Sequence, residues 1–184
     1  MCGICGFTGA KNPQALRKMA SALVHRGPDD EGYWEDEQLS LGFKRLSIVD
    51  IAAGKQPVIN EDGTIVVVFN GEIYNHVALR ETLIKQGHQF TSEHADSEII
   101  PHLYEEYGLD FPKYLNGIFS IALWDRREKR LLLVRDRVGI KPLYYTQSDS
   151  GFIFGSEIKS ILQSPGITPQ PNYEALYHYF SFKN

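Results

Sequence analysis

A cysteine occupies the second position of the chain, within the opening run MCGICG. A small second residue generally permits removal of Met1, which would make Cys2 the first residue and place its own α-amine beside its own thiol. An α-amine has an unperturbed pKa of about 7.7–8.0, so a useful fraction is an unprotonated base near neutral pH. One residue would then supply both a nucleophile and its base. On position alone, the alternative is an ordinary cysteine that merely follows Met1.

Composition excludes several other classes of protein. A chain of 184 residues with 42% hydrophobic and 23% charged residues is ordinary for one globular domain. The net charge of −4 argues against nucleic acid as a partner, because a phosphate backbone requires a basic surface. The longest apolar run, at 65–69, is too short for a membrane span, and the N-terminus lacks a signal-peptide core.

Cysteine and histidine usage predicts neither disulfides nor metal. Cys2 and Cys5 are too few for a disulfide framework, and no second cysteine pair exists to complete a zinc site. The six histidines are dispersed, without an i, i+4 pair. We therefore expect a reduced, cytoplasmic protein with no metal ligands.

Periodicity and capping residues predict four helices. Apolar residues at i, i+3, i+4 and i+7 indicate an amphipathic helix over 14–25. A second helix is expected at 76–86, with Asn75 as N-cap and Gly87 beyond its end. A third is expected over much of 97–107, where Pro101 is an awkward internal residue, and a short fourth over 157–163.

Between the helices, apolar runs predict strands at 2–8, 39–45, 64–70, 117–125, 130–135, 142–146 and 152–155. Short polar connections at 126–129 and 148–151 predict two hairpins, and therefore antiparallel pairing. The runs at 118–124 and 131–134 are apolar almost throughout, so both faces of their sheet must be covered. The fold class predicted is α+β: a four-layer helix–sheet–sheet–helix sandwich of two stacked antiparallel sheets.

Beyond residue 163 the character of the chain changes. Residues 164–171 are rich in proline and glycine, which is typical of a linker. The following tail is crowded with aromatic residues, and such a surface generally requires a partner. We expect a domain over 1–163, with 164–184 forming a linker and the start of a synthetase domain that the chain lacks.

Several short segments together resemble the class II glutamine amidotransferases, which have an N-terminal nucleophile, and most closely the N-terminal glutaminase domain of asparagine synthetases. In chain order they are MCGI at 1–4, HRGPD at 25–29, RLSIVD at 45–50, FNGEIYN at 69–75, DSE at 96–98, RDR at 135–137 and GSEIK at 155–159. Each alone is weakly specific, but together they cover nearly all of residues 1–163. The family has the same four-layer fold of the N-terminal-nucleophile hydrolases.

The resemblance implies roles for the catalytic residues. Cys2 is the nucleophile, and its amine relays a proton to departing ammonia. The side-chain amide of Asn70 and the backbone N–H of Gly71 are the oxyanion donors. From the residues alone, Asn70-Gly71 would instead favour a two-residue hairpin turn.

The resemblance also assigns the groups that bind the two ends of the amino-acid substrate. Arg45 grips the α-carboxylate, for which a planar fork is suited, although a solvated strand-end arginine is the commoner case. Asp96 holds the α-ammonium with help from Glu72, and an acidic residue before a helix is also a frequent N-cap. The pocket is expected to be lined, through backbone groups, by the next residues after Arg45: Leu46, Ser47, Ile48 and Val49.

Other residues are expected to have supporting roles. Arg26 organises the loop around the nucleophile or anchors a surface loop, and Cys5 is a small buried residue. A structural ion network or a domain interface, in preference to catalysis, is expected of the charged group Arg135, Asp136, Arg137 and Lys141.

The implied activity is hydrolysis of L-glutamine to glutamate and ammonia. The ammonia is intended for an acceptor, with aspartate favoured, in a synthetase domain C-terminal to residue 184. ATP and Mg²⁺ are expected only in that domain, and this chain needs no cofactor of its own. The resemblance also leaves room for a homodimer.

Three alternatives remain open from the sequence. The chain could be the glutaminase domain of a related amidotransferase with a different acceptor. It could be a catalytically silent glutamine-binding or regulatory module, as retention of Met1 would make it by converting the amine to an amide. A cysteine protease-like hydrolase would need a histidine or equivalent base near Cys2.

Overall fold

Two antiparallel sheets form the centre of the computed structural model, which describes residues 1–47, 54–92, 94–148 and 151–182. The first sheet has the strand order β2 (Asp30–Glu35), β3 (Leu39–Arg45), β1 (Gly3–Thr8), β9 (Gly151–Gly155) and β8 (Tyr144–Ser148). The second has the order β4 (Val58–Ile59), β5 (Ile65–Ile73), β6 (Gly117–Asp125) and β7 (Arg130–Arg135). β1, which begins directly after Cys2, therefore lies in the middle of its sheet.

Five α-helices accompany the sheets in the described part of the chain: α1 (Pro13–Ser21), α2 (His76–Gln86), α3 (Ile99–Tyr107), α4 (Ile158–Ile161) and α5 (Tyr173–Phe182). Two 3₁₀ segments, Asp96–Glu98 and Gly108–Tyr114, flank α3. None of the helices has the length and apolarity needed to cross a bilayer.

Three apolar clusters show how the layers stack. Between the sheets lies an inter-sheet cluster, which consists of Ile4, Leu39, Leu41, Phe43, Val66, Val68, Ala122, Trp124 and Phe154. A second cluster joins the outer face of the first sheet to α1 and α4, and a third joins the outer face of the second sheet to α2 and α3. The predicted four-layer α+β sandwich is confirmed.

The near-continuous apolar runs are explained by this stacking. In β5, Val66 and Val68 point into the inter-sheet cluster, whereas Ile65 and Val67 point into the cluster beneath α2 and α3. Successive side chains of a strand face opposite sides, so a strand with both faces covered is apolar at every position. The same logic applies to β6.

The structure differs from the expected elements where local turns or polar edges intervene. α1 ends at Ser21, not at 25, because the chain continues in tight turns that bond Val24 N to Ser21 O and Arg26 N to Leu23 O. β2 and β4 were not expected: β2 is a polar edge strand, and β4 has only two residues. β8 lies two residues later than predicted, and the aromatic tail contains α5.

The two residues predicted to flank α2 occupy the cap positions, but the side chain at the N-cap makes no capping bond. Gly87 ends α2 with φ of 106°, a left-handed conformation that favours glycine. Asn75 precedes the helix, but its side chain bonds the backbone of Tyr114 and Asn116 instead of capping it. Pro101 lies in the first turn of α3, where a helix N–H has no acceptor within the helix, so the proline is tolerated.

The inter-sheet cluster should dominate stability. Leu41 is fully buried in it, so Leu41→Ala should lower the free energy of unfolding by about 2–5 kcal/mol through lost apolar contact and a residual cavity. Leu109→Ala is the matched control because Leu109 is 59% exposed, and its effect should stay within about 0.5 kcal/mol. Urea denaturation of both variants measures the difference, and equal effects would contradict this account of the core.

Candidate functional site

A cleft opens at one end of the inter-sheet layer, and Cys2 is on its wall. Its volume is about 160 Å³. The cleft is lined by the N-terminus, the end of β3 and the residue after it, the segment before β4, β5, the segment before α3 and the loop between β7 and β8. The lining residues are Met1, Cys2, Phe43, Arg45, Leu46, Gly54, Gln56, Phe69, Asn70, Gly71, Glu72, Ala95, Asp96, Ser97 and Lys141. Residues that are distant in the sequence therefore meet at one site.

Most of the residues singled out by the sequence are in this lining. The structure brings together Cys2, Arg45, Leu46, Asn70, Gly71, Glu72 and Asp96. Ser47 is not part of the lining, and Ile48 and Val49 lie outside the described residues. Arg26 also lies outside the lining and contacts Cys2 from another side.

Cys2 is placed by the strand that follows it. It packs against the inter-sheet cluster, as Ile4 does, because alternate residues share one face of a strand. The thiol is partly exposed, and its Sγ lies 3.8 Å from the carbonyl oxygen of Leu46. A nucleophilic atom thus faces the cleft on a rigid support.

Arg26 holds the backbone of Cys2 in position. Its Nε donates to the carbonyl oxygen of Cys2 at 3.0 Å, and its Nη1 donates to Glu157 Oε1 at 2.9 Å. Partial burial opposes ionisation of Glu157, but hydrogen bonds from Arg26, His25 and Lys159 outweigh it and lower its pKa to about 2. Arg26 therefore has an anionic partner throughout the neutral range.

Asn70 and Gly71 lie inside β5, not in a hairpin turn. They pair with Ser120 and Phe119 of β6 in regular antiparallel register. A Cβ added to Gly71 would lie 2.2 Å from the carbonyl oxygen of Ile118, so the close approach of the two strands requires glycine here. The turn favoured by the Asn-Gly pair is excluded because the strand pairing continues through both residues.

The amide of Asn70 is an unsatisfied donor at the cleft. Asn70 is 1% exposed, and its Nδ2 has no hydrogen-bond partner among the described residues. Leaving a buried donor unpaired costs about 1–3 kcal/mol, so a bound acceptor atom would be favoured there. Since Cys2 lines the same cleft, an oxygen next to the reacting carbon is the acceptor that this arrangement suits.

Arg45 is buried at the end of β3, with 5% exposure, so it is not the solvated strand-end arginine considered above. The chain around it is anchored by Asp29, whose N–H donates to Arg45 O at 3.0 Å and whose Oδ2 accepts from Ser47 N at 2.7 Å. A guanidinium with little exposure on a cleft wall suits a carboxylate ligand.

Asp96 lies in the 3₁₀ segment before α3, with Ala95 as the residue that precedes the segment. Its Oδ2 accepts from Ile73 N at 2.9 Å, which ties it to the end of β5, and it does not cap α3. Burial raises the pKa of this carboxyl, and the negative charge of Glu72 adds to the effect. A cationic ligand would offset both the burial of the Asp96 carboxylate and its repulsion by Glu72.

Some lining residues carry no signal in the sequence. Gln56 is one, and its Oε1 accepts from Phe69 N at 2.6 Å, although nothing in its neighbourhood marks it as functional. Ser97, which belongs to the DSE segment at 96–98, also lines the cleft. Only the folded chain reveals the place of Gln56.

The charged group at 135–141 is organised around backbone atoms instead of an ion network. Asp136 is 5% exposed and accepts hydrogen bonds from the N–H groups of Phe119, Ile140 and Lys141. Burial opposes its ionisation, but these bonds outweigh that and lower its pKa. Arg135 donates to the carbonyls of Gly139 and Lys141. Of this group, Lys141 reaches the cleft wall.

Cys5 is the second thiol and is unsuited to catalysis. It faces the α1 side of β1 and is fully buried. Burial raises its pKa to about 12, so the reactive thiolate is scarce at neutral pH. Its expected role as a small core residue is confirmed.

Comparison with solved structures identifies the fold. The structure of the allosteric regulatory enzyme of purine biosynthesis superposes with a TM-score of 0.73 over 88% of this chain and 43% of that one, at 19% identity. Glutamine phosphoribosylpyrophosphate amidotransferase from B. subtilis gives a TM-score of 0.74 over 87% of this chain and 43% of that one, also at 19% identity. At this identity the likeness establishes the shared sandwich fold.

Comparison with sequences identifies the family. The glutamine amidotransferase domain family matches residues 1–184. Asparagine synthetase [glutamine-hydrolyzing] 2 of Bacillus subtilis (strain 168) is 45% identical over 95% of this chain and 24% of its own length. Asparagine synthetase [glutamine-hydrolyzing] 3 of Arabidopsis thaliana is 46% identical over 88% of this chain and 28% of its own length.

The chain therefore spans about a quarter of the length of these relatives. The match covers the whole chain, and its cleft carries the cysteine, amide and charged side chains described above. The chain belongs to the glutamine amidotransferase domain family.

Proposed function

We propose that this chain is the glutaminase part of a glutamine-dependent asparagine synthetase. The observation that carries the proposal is the meeting, in one cleft, of a partly exposed thiol at Cys2 with the unpartnered amide of Asn70 and the opposite charges of Arg45 and Asp96. These are the groups that hydrolysis of a glutamine side-chain amide requires: a nucleophile, an oxyanion donor, and one partner for each charge of the amino acid.

The reaction begins at the sulfur of Cys2. With Met1 removed, the free α-amine takes the thiol proton, and the sulfur forms a bond to the side-chain carbonyl carbon of glutamine. The C–N bond then breaks, and the amine returns the proton to the leaving nitrogen, so ammonia departs and a glutamyl thioester remains. Water adds to the thioester, glutamate leaves, and the thiol is restored.

Asn70 and Gly71 stabilise the negative oxygen that develops when sulfur attacks. The Asn70 amide is buried and has no partner among the described residues, so its donor need not break an existing bond. Preorganised donors of this kind supply much of the rate enhancement in acyl transfer. The neighbouring backbone N–H of Gly71 is the second donor.

The two charged ends of glutamine are bound by side chains of opposite sign. The Arg45 fork receives the α-carboxylate, and Asp96 with Glu72 receives the α-ammonium. The backbone at Leu46, next to Cys2, borders the same space. Arg26 is a positioning residue, since it holds the Cys2 carbonyl and leaves the substrate untouched.

The released ammonia would be consumed in a synthetase region that uses ATP and Mg²⁺ to activate aspartate. The relatives are roughly three to four times as long as this chain, and their names support this acceptor. α5 supports contact with further protein, because it presents exposed apolar side chains: Tyr173, Leu176, Tyr177, Tyr179, Phe180 and Phe182. That region, or a second copy in a homodimer, would cover it. We place the enzyme in the cytoplasm, because the mechanism requires a reduced Cys2.

A silent glutamine-binding module is the second candidate, and it depends on whether Met1 is retained. Met1 contributes to the cleft wall, with its sulfur 3.9 Å from Arg26 Nη2. A chain that retains Met1 has an amide in place of the amine that serves as base. Processing at residue 1 therefore decides between an active and a silent domain.

Glutaminase activity should depend on Cys2. The chain confirmed by mass to begin at Cys2 should release glutamate and ammonia from glutamine, and Cys2→Ala should abolish both products. A glutamine-like electrophile should label Cys2, while the buried Cys5 serves as the internal control and stays unlabelled. Glutamate release by Cys2→Ala, or labelling at Cys5 alone, would be incompatible with the mechanism; no glutamate from the processed chain would establish the silent module.

Asn70 should affect the rate more than substrate binding. Asn70→Ala should lower kcat by about 100- to 1000-fold with a small change in KM, because the amide bonds an oxygen whose charge grows in the transition state. Asn116→Ala is the matched control, since Asn116 is exposed and outside the cleft. A raised KM with an unchanged kcat would make Asn70 a residue of ground-state binding.

Glutamine binding should depend on pH because the pKa of Asp96 is raised. The carboxylate must be charged to hold the α-ammonium, and burial makes it take up a proton at higher pH than an ordinary aspartate. KM for glutamine should therefore rise as the pH falls through this raised pKa, above the usual value of about 3.9. Asp96→Asn should weaken binding about tenfold and remove this pH dependence, whereas exposed Asp110→Asn should change neither. A wild-type pH profile for KM in Asp96→Asn would exclude the role.

A further inference from the structure

Two histidines that are 14 positions apart in the sequence meet on the far side of the second sheet. His88 follows the end of α2, and His102 lies on α3, and their ring centroids are 4.7 Å apart. Glu105 shares the α3 face of His102 at spacing i, i+3, and Glu61 comes from the turn between β4 and β5. One ligand atom from each of these four residues lies within 4.8 Å of all the others.

We propose that Glu61, His88, His102 and Glu105 form a binding site for one divalent transition-metal ion, of which Zn²⁺ has the best-matched chemistry. Two imidazole nitrogens and two carboxylate oxygens suit zinc, whereas Mg²⁺ and Ca²⁺ prefer oxygen ligands throughout. None of these four residues lines the cleft, so the site is separate from glutamine hydrolysis.

The distances fit a four-coordinate ion. With zinc bonds of about 2.0–2.2 Å, neighbouring ligand atoms of a tetrahedron are roughly 3.4 Å apart. His102 Nδ1 is 3.0 Å from Glu105 Oε2 and 3.7 Å from Glu61 Oε2. His88 Nδ1 is 3.6 Å from Glu105 Oε2. These separations lie on both sides of the tetrahedral value, so small side-chain movements would bring the ligand atoms to the spacing that zinc requires.

Three of the four ligands are also held by a second atom that contacts another group. The second ring nitrogen of His88, Nε2, lies 2.9 Å from Glu106 Oε1, which is the carboxylate–histidine arrangement that fixes a metal-binding imidazole. Such a contact orients Nδ1 of the same ring towards the cluster. Glu106 is therefore a positioning residue for the ion.

Both carboxylates are held in the same way, each by one oxygen. Glu105 Oε1 accepts from Nδ2 of the buried Asn60 at 2.8 Å, and Glu61 Oε1 accepts from Gln89 N at 3.0 Å. In both residues the other oxygen, Oε2, is the one that faces His102. The fold thus turns one free oxygen of each carboxylate into a common space.

The charges of the cluster also favour a cation. Glu61, Glu105 and Glu106 surround the two imidazoles, and in the described part of the chain no lysine or arginine forms an ion pair with any of the three. His102 is 4% exposed, so the part of the cluster around its imidazole is shielded from water. A divalent ion would compensate the carboxylates and would join the β4–β5 turn, α2 and α3.

The test uses the full chain carrying Cys2→Ala, which removes the accessible thiol as a competing metal ligand. After treatment with a chelator, the chain should bind one equivalent of Co²⁺ with the intense visible absorption of a four-coordinate site, and Zn²⁺ should displace it. Zn²⁺ should also raise the melting temperature. No binding near one equivalent, or a spectrum typical of six-coordinate Co²⁺, would overturn the proposal.

Substitutions locate the ion. His88→Gln and Glu61→Gln should abolish the Co²⁺ spectrum and the Zn²⁺-dependent rise in melting temperature; Glu61 is exposed, so its variant tests the site even if His88→Gln folds poorly. Glu106→Gln should weaken Zn²⁺ binding by about 10- to 100-fold. The controls Glu37→Gln, at the salt bridge to Lys11, and His178→Gln, on α5, should bind as the parent does. Unchanged binding in Glu61→Gln would assign the metal elsewhere and refute the site.

Discussion

Face-to-face packing of the two sheets requires an apolar layer about one side chain deep on each side, and the rest of the structure is arranged around it. The inter-sheet cluster draws residues from β1, β3, β5, β6 and β9, so these strands are fixed relative to one another. The cleft lies where this layer ends and polar side chains replace apolar ones. In β5 the change occurs between Val68 and Asn70, which share the inward face. The inward face of β5 thus changes from the apolar core to the wall of the cleft within two residues.

Cys2 is held in place through the strand that follows it. β1 begins at Gly3 in the centre of a five-stranded sheet and is paired on both sides, so it fixes the position of Cys2. Arg26 adds a second restraint through the Cys2 carbonyl, and Glu157, the residue before α4, anchors Arg26. Sheet pairing and this ion pair together leave the thiol little freedom except rotation about its own bonds.

The outer layers contribute in a different way. α3 continues from the 3₁₀ segment that carries Asp96, so the packing of α3 against the second sheet also positions one wall of the cleft. The proposed metal cluster lies on the same helix, at His102 and Glu105, and would join α3 to its neighbours. The helical layer is therefore part of the support of the site, although its own side chains face away from the substrate.

Strand periodicity and short hairpin connections are local properties of the chain, and they were enough to predict the sandwich. The resemblance of the ordered segments to the amidotransferase family implied most of the candidate site. The sequence alone could not determine properties that depend on long-range contact. Asn70-Gly71 has the local preference of a turn, and only pairing with Ser120 and Phe119 makes it a strand. Gln56 in the cleft and the approach of His88 to His102 likewise carry no local signal. Ile48 and Val49 lie outside the described residues, so their expected place in the pocket stays a prediction. Tertiary structure decided these points because burial, orphaned donors and ligand geometry arise only when distant segments pack together.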